Sequence, residues 1–449
     1  MKKLSKIYQG LIYVLPAVLF FSYYPLISFG ANETMNFELS LPLIWLVVFD
    51  FVAVILIVWE RKIKEIFKNY IYLLLPLFLT LSIFWSENKI RGILTVGIFW
   101  LIYFAGFSIY IFRNYLKNKK VKEIFWKSFF GSAIMICVWC LVQSLFDVFG
   151  VPRENSLMCL GCTYKMFGFP HPNGFAIEPQ FMGNLLLAPI FMSIYFSMKN
   201  KKYLWLVFVF VATLFLTFSR GAIYAFGVAL LFMTGYLWVK EKELIRKIIM
   251  VWGVAITAFL FTLNAQGIMA QVSPTNDTYW SGVSKVLNHL SLGIIDVKKA
   301  NATEEAKFDG YVAESTDTRM KISRAALETW RKDFWTMMFG VGIGGAGEAM
   351  FKAGVMDSPK EIVQNQYIGL LLETGLIGIF LLILTLILVI KFIVRKCEFL
   401  PLATLGVSYG ITLVFFSGLP NALQIYLLPV VLIVMFEYQS SSKRKKLVS

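Results

Sequence analysis

Residues 39–59 read LSLPLIWLVVFDFVAVILIVW, and stretches of this kind decide the fold. A helix of about 20 mostly apolar residues is long enough to cross the hydrocarbon core of a bilayer. Similar apolar runs occupy roughly residues 8–29, 69–86, 92–112, 126–150, 180–198, 203–218, 221–238, 248–266, 366–390, 399–416 and 423–437. Hydrophobic residues make up 58% of the 449-residue chain and charged residues only 16%. The sequence therefore predicts an all-α polytopic membrane protein with about twelve transmembrane helices.

The Lys and Arg residues indicate how these helices are oriented. They cluster in alternate segments between the apolar runs, namely Lys2–Lys6, Arg61–Lys68, Arg113–Lys127, Lys199–Lys202, Lys240–Lys247, Lys391–Lys396 and Lys443–Lys446. Short basic loops favour the cytoplasmic side, so both termini are expected there. This pattern also accounts for the net charge of +16 without a nucleic-acid partner. The first apolar run is longer than a usual signal core, so we expect an uncleaved anchor rather than a cleaved signal peptide.

The polar material between the runs predicts the domain organisation. Residues 1–266 are expected to form an N-terminal membrane domain of about nine helices. Residues 267–365 then form one large extracytoplasmic loop, a small external subdomain with helical segments such as Arg319–Phe334, and residues 366–449 form the last helices and a basic cytoplasmic tail. Loops of such length usually carry function. A second external loop covers residues 151–178.

The sequence lacks the motifs that are typical of several functional classes. The chain has no nucleotide-binding P-loop motif and only two histidines, His171 and His289, so no cofactor and no metal site is predicted. Cys159 and Cys162 form a lone C-x-x-C pair, which favours a local disulfide or two thiols over zinc. Ionisable residues inside the runs are scarce, which argues against an ion-coupled transporter.

One arginine points to a ligand of definite chemistry. Arg220 lies in the stretch TFSRGA, residues 217–222, between the seventh and eighth runs on the predicted external side. The small neighbours Ser219, Gly221 and Ala222 would let a ligand approach the backbone, and a guanidinium binds phosphate through paired, charge-assisted hydrogen bonds. The alternative is an interfacial arginine that reaches to lipid headgroups.

This stretch resembles the T-x-S-R-G-A motif of the O-antigen ligase and O-antigen polymerase family, membrane glycosyltransferases of the bacterial envelope. The resemblance continues, in order, along most of the chain. Further matching stretches are Phe84-Trp85-Ser86, Phe169–Asn173, Thr318–Leu327, Gly340–Gly344, Gln364–Tyr367 and Glu373–Gly378. Each motif is weak alone, but their order and the position of the long loop make the resemblance specific. Ser323 departs from the pattern where tryptophan is common.

The resemblance implies an enzyme that needs no metal and takes a glycan from a polyprenyl-diphosphate-linked oligosaccharide. Its acceptor would be a glycan or glycolipid hydroxyl at the outer face of the bacterial cytoplasmic membrane. Arg220 and Arg319 match the family's functional arginines, and Arg324 is the alternate for the second role. Asn173 and Asn365 fall in matching motifs and are expected to bind substrate. For Arg319 the alternative is a solvated loop charge.

Gln364 stands where the family's ligases carry histidine. A glutamine can orient an acceptor hydroxyl but cannot take its proton at neutral pH, so Glu178 and His171 are the candidates for further catalytic or binding roles. Either residue could instead have a purely structural role. The departure favours polymerase over ligase, with both reactions left open. The alternative from another class is a transporter or flippase of lipid-linked oligosaccharide.

Overall fold

The computed structural model describes residues 2–21, 25–29, 37–68, 70–149, 151, 170–176, 178–272, 278–291, 317–417 and 423–437. Each of the twelve apolar runs contains a helix within these ranges. These helices are α1 (Lys2–Phe20), α2 (Leu41–Trp59), α4 (Leu74–Ser82), α5 (Lys89–Ile111), α7 (Lys119–Val148), α8 (Pro179–Lys199), α9 (Leu204–Leu216), α10 (Arg220–Lys240), α11 (Ile245–Val272), α16 (Gln366–Lys396), α17 (Phe399–Phe415) and α18 (Leu423–Met435). The expected all-α polytopic membrane protein is confirmed, and seven helical stretches are long and apolar enough to cross a membrane.

Shorter elements join these helices. Helix α3 (Ile63–Lys68) follows α2, and helix α6 (Arg113–Leu116) follows α5. A two-stranded antiparallel hairpin, β1 (Pro25–Phe29) with β2 (Phe37–Ser40), follows α1 and is the exception to the all-helical prediction. The outer region contains α12 (Tyr279–Leu290), a helix over residues 317–330 that we call α13, α14 (Phe334–Phe339) and α15 (Ala346–Lys352).

Two boundaries differ from the prediction. Helix α11 continues to Val272, beyond the predicted start of the external loop, because its last turns pack against α12. A Cβ on Gly267 would lie 2.4 Å from the ring of Tyr279, which shows how close the two helices approach. The predicted helical segment Arg319–Phe334 is divided, since α13 ends at residue 330 and Asp333 then caps α14 by accepting the Thr336 amide at 2.8 Å.

Helix α8 lies at the centre of the bundle. In its central window 89% of the residues are buried, compared with 6% in α16, which stands at the periphery. The apolar side chains of α8 pack into one large core that also includes residues of α7, α9, α10, α17 and α18. The first turn of α8 is therefore held firmly at one end of the bundle.

Ion pairs mark the opposite end, which the basic clusters predict to be cytoplasmic. The Glu437 carboxylate lies 3.0 Å from Lys117 Nζ and 3.6 Å from Arg113 Nε. Lys199 Nζ, at the end of α8, lies 3.6 Å from the Glu398 carboxylate at the start of α17. Chain segments from different parts of the sequence thus meet at one face, as the alternation of basic loops requires.

The glycine-rich turn at residues 340–344 interlocks with a break in α16. Gly375 has a φ of 61° within that helix, so the helix kinks there. The carbonyls of Leu372 and Glu373 accept hydrogen bonds from the amides of Val341 and Gly342, at 2.9 and 3.0 Å. The turn therefore satisfies backbone acceptors that the kinked helix leaves open.

The same turn packs on the end of α4. Ser86 Oγ donates to the carbonyl of Ile343 at 2.8 Å, and a Cβ on Gly342 would lie 2.3 Å from Ser86 Cα. Gly342 has a φ of 86°, a conformation that glycine adopts without a steric penalty. Three of the sequence motifs, at residues 84–86, 340–344 and 373–378, are thus brought into direct contact.

Candidate functional site

Arg220 is the first residue of α10, and Thr217–Ser219 form the break between α9 and α10. Phe218 has a φ of 48°, which is uncommon for a residue with a bulky side chain. That left-handed residue reverses the chain within a very short break, and Ser219 takes the N-cap position. The half-buried guanidinium of Arg220 therefore starts from a backbone that has little freedom to move.

Small residues let this turn pack tightly between two other helices. A Cβ on Gly183 of α8 would lie 2.7 Å from Ser219 Cβ and 2.9 Å from Ala222 Cβ. On the other side, a Cβ on Gly221 would lie 3.1 Å from Phe415 Cβ at the end of α17. Because these glycines lack side chains, α8, α10 and α17 pack closely together around Arg220.

His289 of α12 holds the Arg220 turn from outside the bundle. Its Nε2 atom lies 3.1 Å from the Phe218 carbonyl oxygen, which can only accept, so Nε2 carries the proton. Burial and the nearby Arg220 charge lower the pKa of His289 to about 4, which keeps the ring neutral at physiological pH. Tyr224 Oη also donates to the Leu290 carbonyl, at 2.7 Å. Helix α12 thus contacts both the break between α9 and α10 and helix α10 itself.

Arg319 lies over the first turn of α8. Its Nη2 atom donates to Gln180 Oε1 at 3.3 Å, and Gln180 Nε2 donates to the Phe415 carbonyl at 2.9 Å. Burial raises the pKa of Glu178, and the positive charge of Arg319 opposes this shift. The structure therefore brings Glu178 and Arg319 together.

Phe415 connects the surroundings of the two arginines. Its carbonyl receives the side chain of Gln180, the partner of Arg319, while its Cβ faces Gly221, the residue after Arg220. Arg220 and Arg319 are far apart in the sequence, yet each lies one or two contacts from the same residue. We call this set of side chains, Glu178, Gln180, Arg220, His289 and Arg319, the arginine site.

The loop before α8 places His171 beside the arginine site and gives Asn173 a structural contact. The His171 ring lies 6.2 Å from the Phe218 ring, in a stacked arrangement. Asn173 Nδ2 donates to the Ala176 carbonyl at 2.6 Å, which shapes the loop itself. The backbone N–H and C=O of Gly174 both pair with the Gln143 side chain of α7, each at 2.8 Å. Substrate binding by Asn173 stays a prediction.

The remaining predicted residues lie elsewhere around this end. Asn365 caps α16, accepting from the amides of Tyr367 and Ile368, and Gln364 precedes it as a half-buried residue. Arg324 is exposed on α13. Five residues along a helix correspond to about 140° of rotation, so Arg324 and Arg319 point in different directions. The contact with α8 belongs to Arg319, and the roles of Gln364, Asn365 and Arg324 stay predictions.

Two residues of the arginine site were missed from the sequence. Gln180 follows Glu178 by only two positions, but its partners lie 139 and 235 residues away. His289 is one of two histidines in the chain, and that rarity in a helical external segment was the available signal. Cys159 and Cys162 lie outside the described residues. Within the described ranges, no three His, Cys, Asp or Glu side chains cluster in a way that could hold a metal ion.

A family model matches part of the chain. Residues 205–383 match the family model described as O-antigen ligase. The matched region starts in α9, ends within α16, and so includes Arg220, His289, Arg319 and the glycine-rich turn. No curated protein and no solved structure matches the chain. On this multi-pass helical bundle, residues 205–383 are therefore similar to the O-antigen ligase family, in agreement with the motifs quoted from the sequence.

Proposed function

We propose that the protein transfers a glycan from a polyprenyl-diphosphate-linked donor to an acceptor hydroxyl, and that the arginine site binds the diphosphate. The observation that carries the proposal is the contact path from Arg319 through Gln180 and Phe415 to the Arg220 turn. Two guanidinium groups on neighbouring elements would provide the charge and the hydrogen bonds that a diphosphate requires. The proposed place of action is the extracytoplasmic face of the bacterial cytoplasmic membrane.

The chemistry depends on the leaving group. When the acceptor hydroxyl attacks the anomeric carbon, the bond from that carbon to the diphosphate oxygen breaks, and negative charge develops on the diphosphate. Fixed positive charge at that point lowers the barrier, because the donors need no reorganisation during the reaction. Arg220 also opens a 21-residue helix, whose N-terminal amides add favourable partial charge. No metal ion is required in this scheme.

Glu178 is the proposed acceptor of the hydroxyl proton. Its pKa is raised by burial, and a base whose pKa lies closer to the working pH is a more effective proton acceptor. The positive charge of Arg319 opposes that pKa shift and favours the ionised form of the carboxyl. Gln364 can orient a hydroxyl but cannot take its proton, which assigns the base role to another residue.

The test is an activity assay on the full-length protein in lipid nanodiscs with native lipid-linked oligosaccharide. Arg220→Ala and Arg319→Ala are each expected to lower kcat/KM on the order of 100- to 1,000-fold, the usual effect of removing a transition-state hydrogen-bond donor. Arg220→Lys should recover little, because lysine lacks the planar fork. Arg331→Ala, an exposed arginine just after α13, is the matched control and should retain activity. Near-normal transfer by Arg220→Ala in folded protein would refute the proposed diphosphate site.

The same assay separates the two reactions of the family. Chain growth on a second lipid-linked glycan identifies a polymerase, which the glutamine at position 364 favours. Transfer of a finished glycan to a different glycolipid identifies a ligase.

A further inference from the structure

A cavity lies near the arginine site. It is lined by the start of α5, the first turns of α16 and the glycine-rich turn. Its polar wall consists of Arg91, Thr95, Glu361, Gln366, Glu373 and Ser417. The rest of the wall is apolar and includes Ile343, Ile362 and Leu370.

The carboxylate of Glu373 is fixed in this wall. It accepts hydrogen bonds from the backbone amides of Gly344 and Ala346, and it lies within electrostatic reach of Arg91. Gly344 has a φ of 76° and approaches the backbone of Gly92 closely, so the turn that supplies these amides is rigidly placed. An oriented carboxylate next to a guanidinium offers acceptors and donors at defined positions.

Charge distinguishes this cavity from the arginine site. Its wall carries two carboxylates, Glu361 and Glu373, but one cation, Arg91. One cation beside two carboxyl groups does not offer a diphosphate the paired guanidinium groups of the arginine site. A neutral polyol is better suited, since carboxylate, amide and hydroxyl groups can pair with sugar hydroxyls while the apolar residues contact the C–H face of a sugar ring.

A short path connects the cavity to the arginine site. Ser417 Oγ lies 3.4 Å from Gln366 Oε1, and both residues line the cavity. Ser417 follows Phe415 by two positions, and the Phe415 carbonyl accepts from Gln180, the partner of Arg319. A glycan bound in the cavity would thus extend toward the residues that contact Arg319.

We infer that this cavity is a subsite for a neutral sugar residue of the acceptor glycan, with Glu373 as a specificity-determining residue. The inference rests on the proposed function, because it is that function that supplies a glycan acceptor. Glu373 binds ring hydroxyls, the backbone amides of Gly344 and Ala346 hold its carboxylate in place, and the diphosphate occupies the arginine site only.

The test measures binding separately from turnover. The probe is the glycan released from its lipid carrier by mild acid, which lacks the diphosphate, added to full-length protein in nanodiscs. This glycan should raise the Tm of the wild type and of Arg220→Ala equally. It should have at least tenfold weaker affinity for Glu373→Gln, since a hydrogen bond to a charged group contributes roughly 1.5–3 kcal/mol.

A second variant covers the case in which Glu373→Gln does not fold. Gly369 also lines the cavity, and a Cβ there meets only ordinary contacts of 3.5 Å or more with Val363, so Gly369→Leu should fold and occupy part of the space. It should weaken glycan binding and raise the acceptor KM without changing the donor KM. The inference is overturned if the released glycan does not stabilise the wild type, or stabilises Gly369→Leu equally well. A raised donor KM would assign the cavity to the donor and overturn it too. Glycan binding without any transfer activity would instead refute the proposed function alone.

Discussion

Gly342→Ala is the substitution that best tests how the glycine-rich turn is held. Gly342 combines two constraints: a φ of 86° and a backbone neighbour at very short distance. An added Cβ would lie 2.3 Å from Ser86 Cα, 2.6 Å from Ser86 N and 2.7 Å from the Ser82 carbonyl. These are main-chain atoms, so rotation of a side chain cannot relieve the contact.

The two constraints have separable energies. The left-handed conformation costs an alanine about 1–2 kcal/mol relative to glycine. Overpacking against a fixed neighbour adds about 1–3 kcal/mol, because backbone must shift. Gly342→Ala is therefore expected to lower the free energy of unfolding by about 2–5 kcal/mol. Gly354 provides the matched control, since its φ is 70° but no atom lies within 4 Å of an added Cβ. Gly354→Ala should show the conformational cost only.

The assay is thermal unfolding of both variants in nanodiscs, together with the transfer activity of the folded fraction. Gly342→Ala should lower the Tm distinctly more than Gly354→Ala, and only Gly342→Ala should weaken activity, because its turn also shapes the cavity wall. Equal Tm values for the two variants would refute the close approach to Ser86. They would show that the positive φ accounts for the whole effect.

Two further predictions concern the Arg220 turn. The pKa of His289 is about 4 in the folded protein, compared with an ordinary value of 6.5. As the pH falls, the unfolded chain therefore binds a proton at this histidine before the folded protein does. About 3 kcal/mol of the stability present above pH 6.5 is lost by pH 4. His289→Gln should flatten the pH dependence of the Tm across that window, and an unchanged profile would contradict the buried neutral ring. Gly183→Ala should destabilise by about 1–3 kcal/mol and reduce activity by displacing Ser219. The control is Gly227→Ala on α10, where an added Cβ meets nothing within 4 Å. It should leave activity unchanged and should leave stability unchanged or raise it by up to about 1 kcal/mol. Equal losses in the two variants would argue against the close contact between Gly183 and Ser219.

The membrane-spanning helices could be predicted because lipid imposes a simple rule. A segment such as Leu41–Trp59 must satisfy its own backbone hydrogen bonds in the bilayer, so its apolar length alone indicates a helix. The kink at Gly375 could not be predicted in this way. It depends on Val341 and Gly342, which reach the helix from a distant part of the chain. Gly375 follows Glu373 and Thr374 in a helix whose other residues are mostly apolar.

The arginine site was partly predictable for a similar reason. Arg220 stands out because a charged residue between two closely spaced apolar runs is rare, and the neighbouring glycine and serine strengthen the signal. Its partners are set by tertiary packing instead. His289 meets Phe218 across 71 residues, and Arg319 meets Gln180 across 139, so no local pattern identifies either pair. The choice between Arg319 and Arg324 likewise required knowing which side of α13 faces α8.

The break at Gly375 couples helix α16 mechanically to the glycine-rich turn at residues 340–344. In an unbroken helix the carbonyls of Leu372 and Glu373 would accept from the amides of Leu376 and Ile377. Here they accept from Val341 and Gly342, so α16 cannot straighten without releasing the glycine-rich turn. Hydrogen exchange at the amides of Val341 and Gly342 therefore reports on bending of a helix to which neither residue belongs. Any motion of that peripheral helix would be transmitted directly to the outer region of the protein.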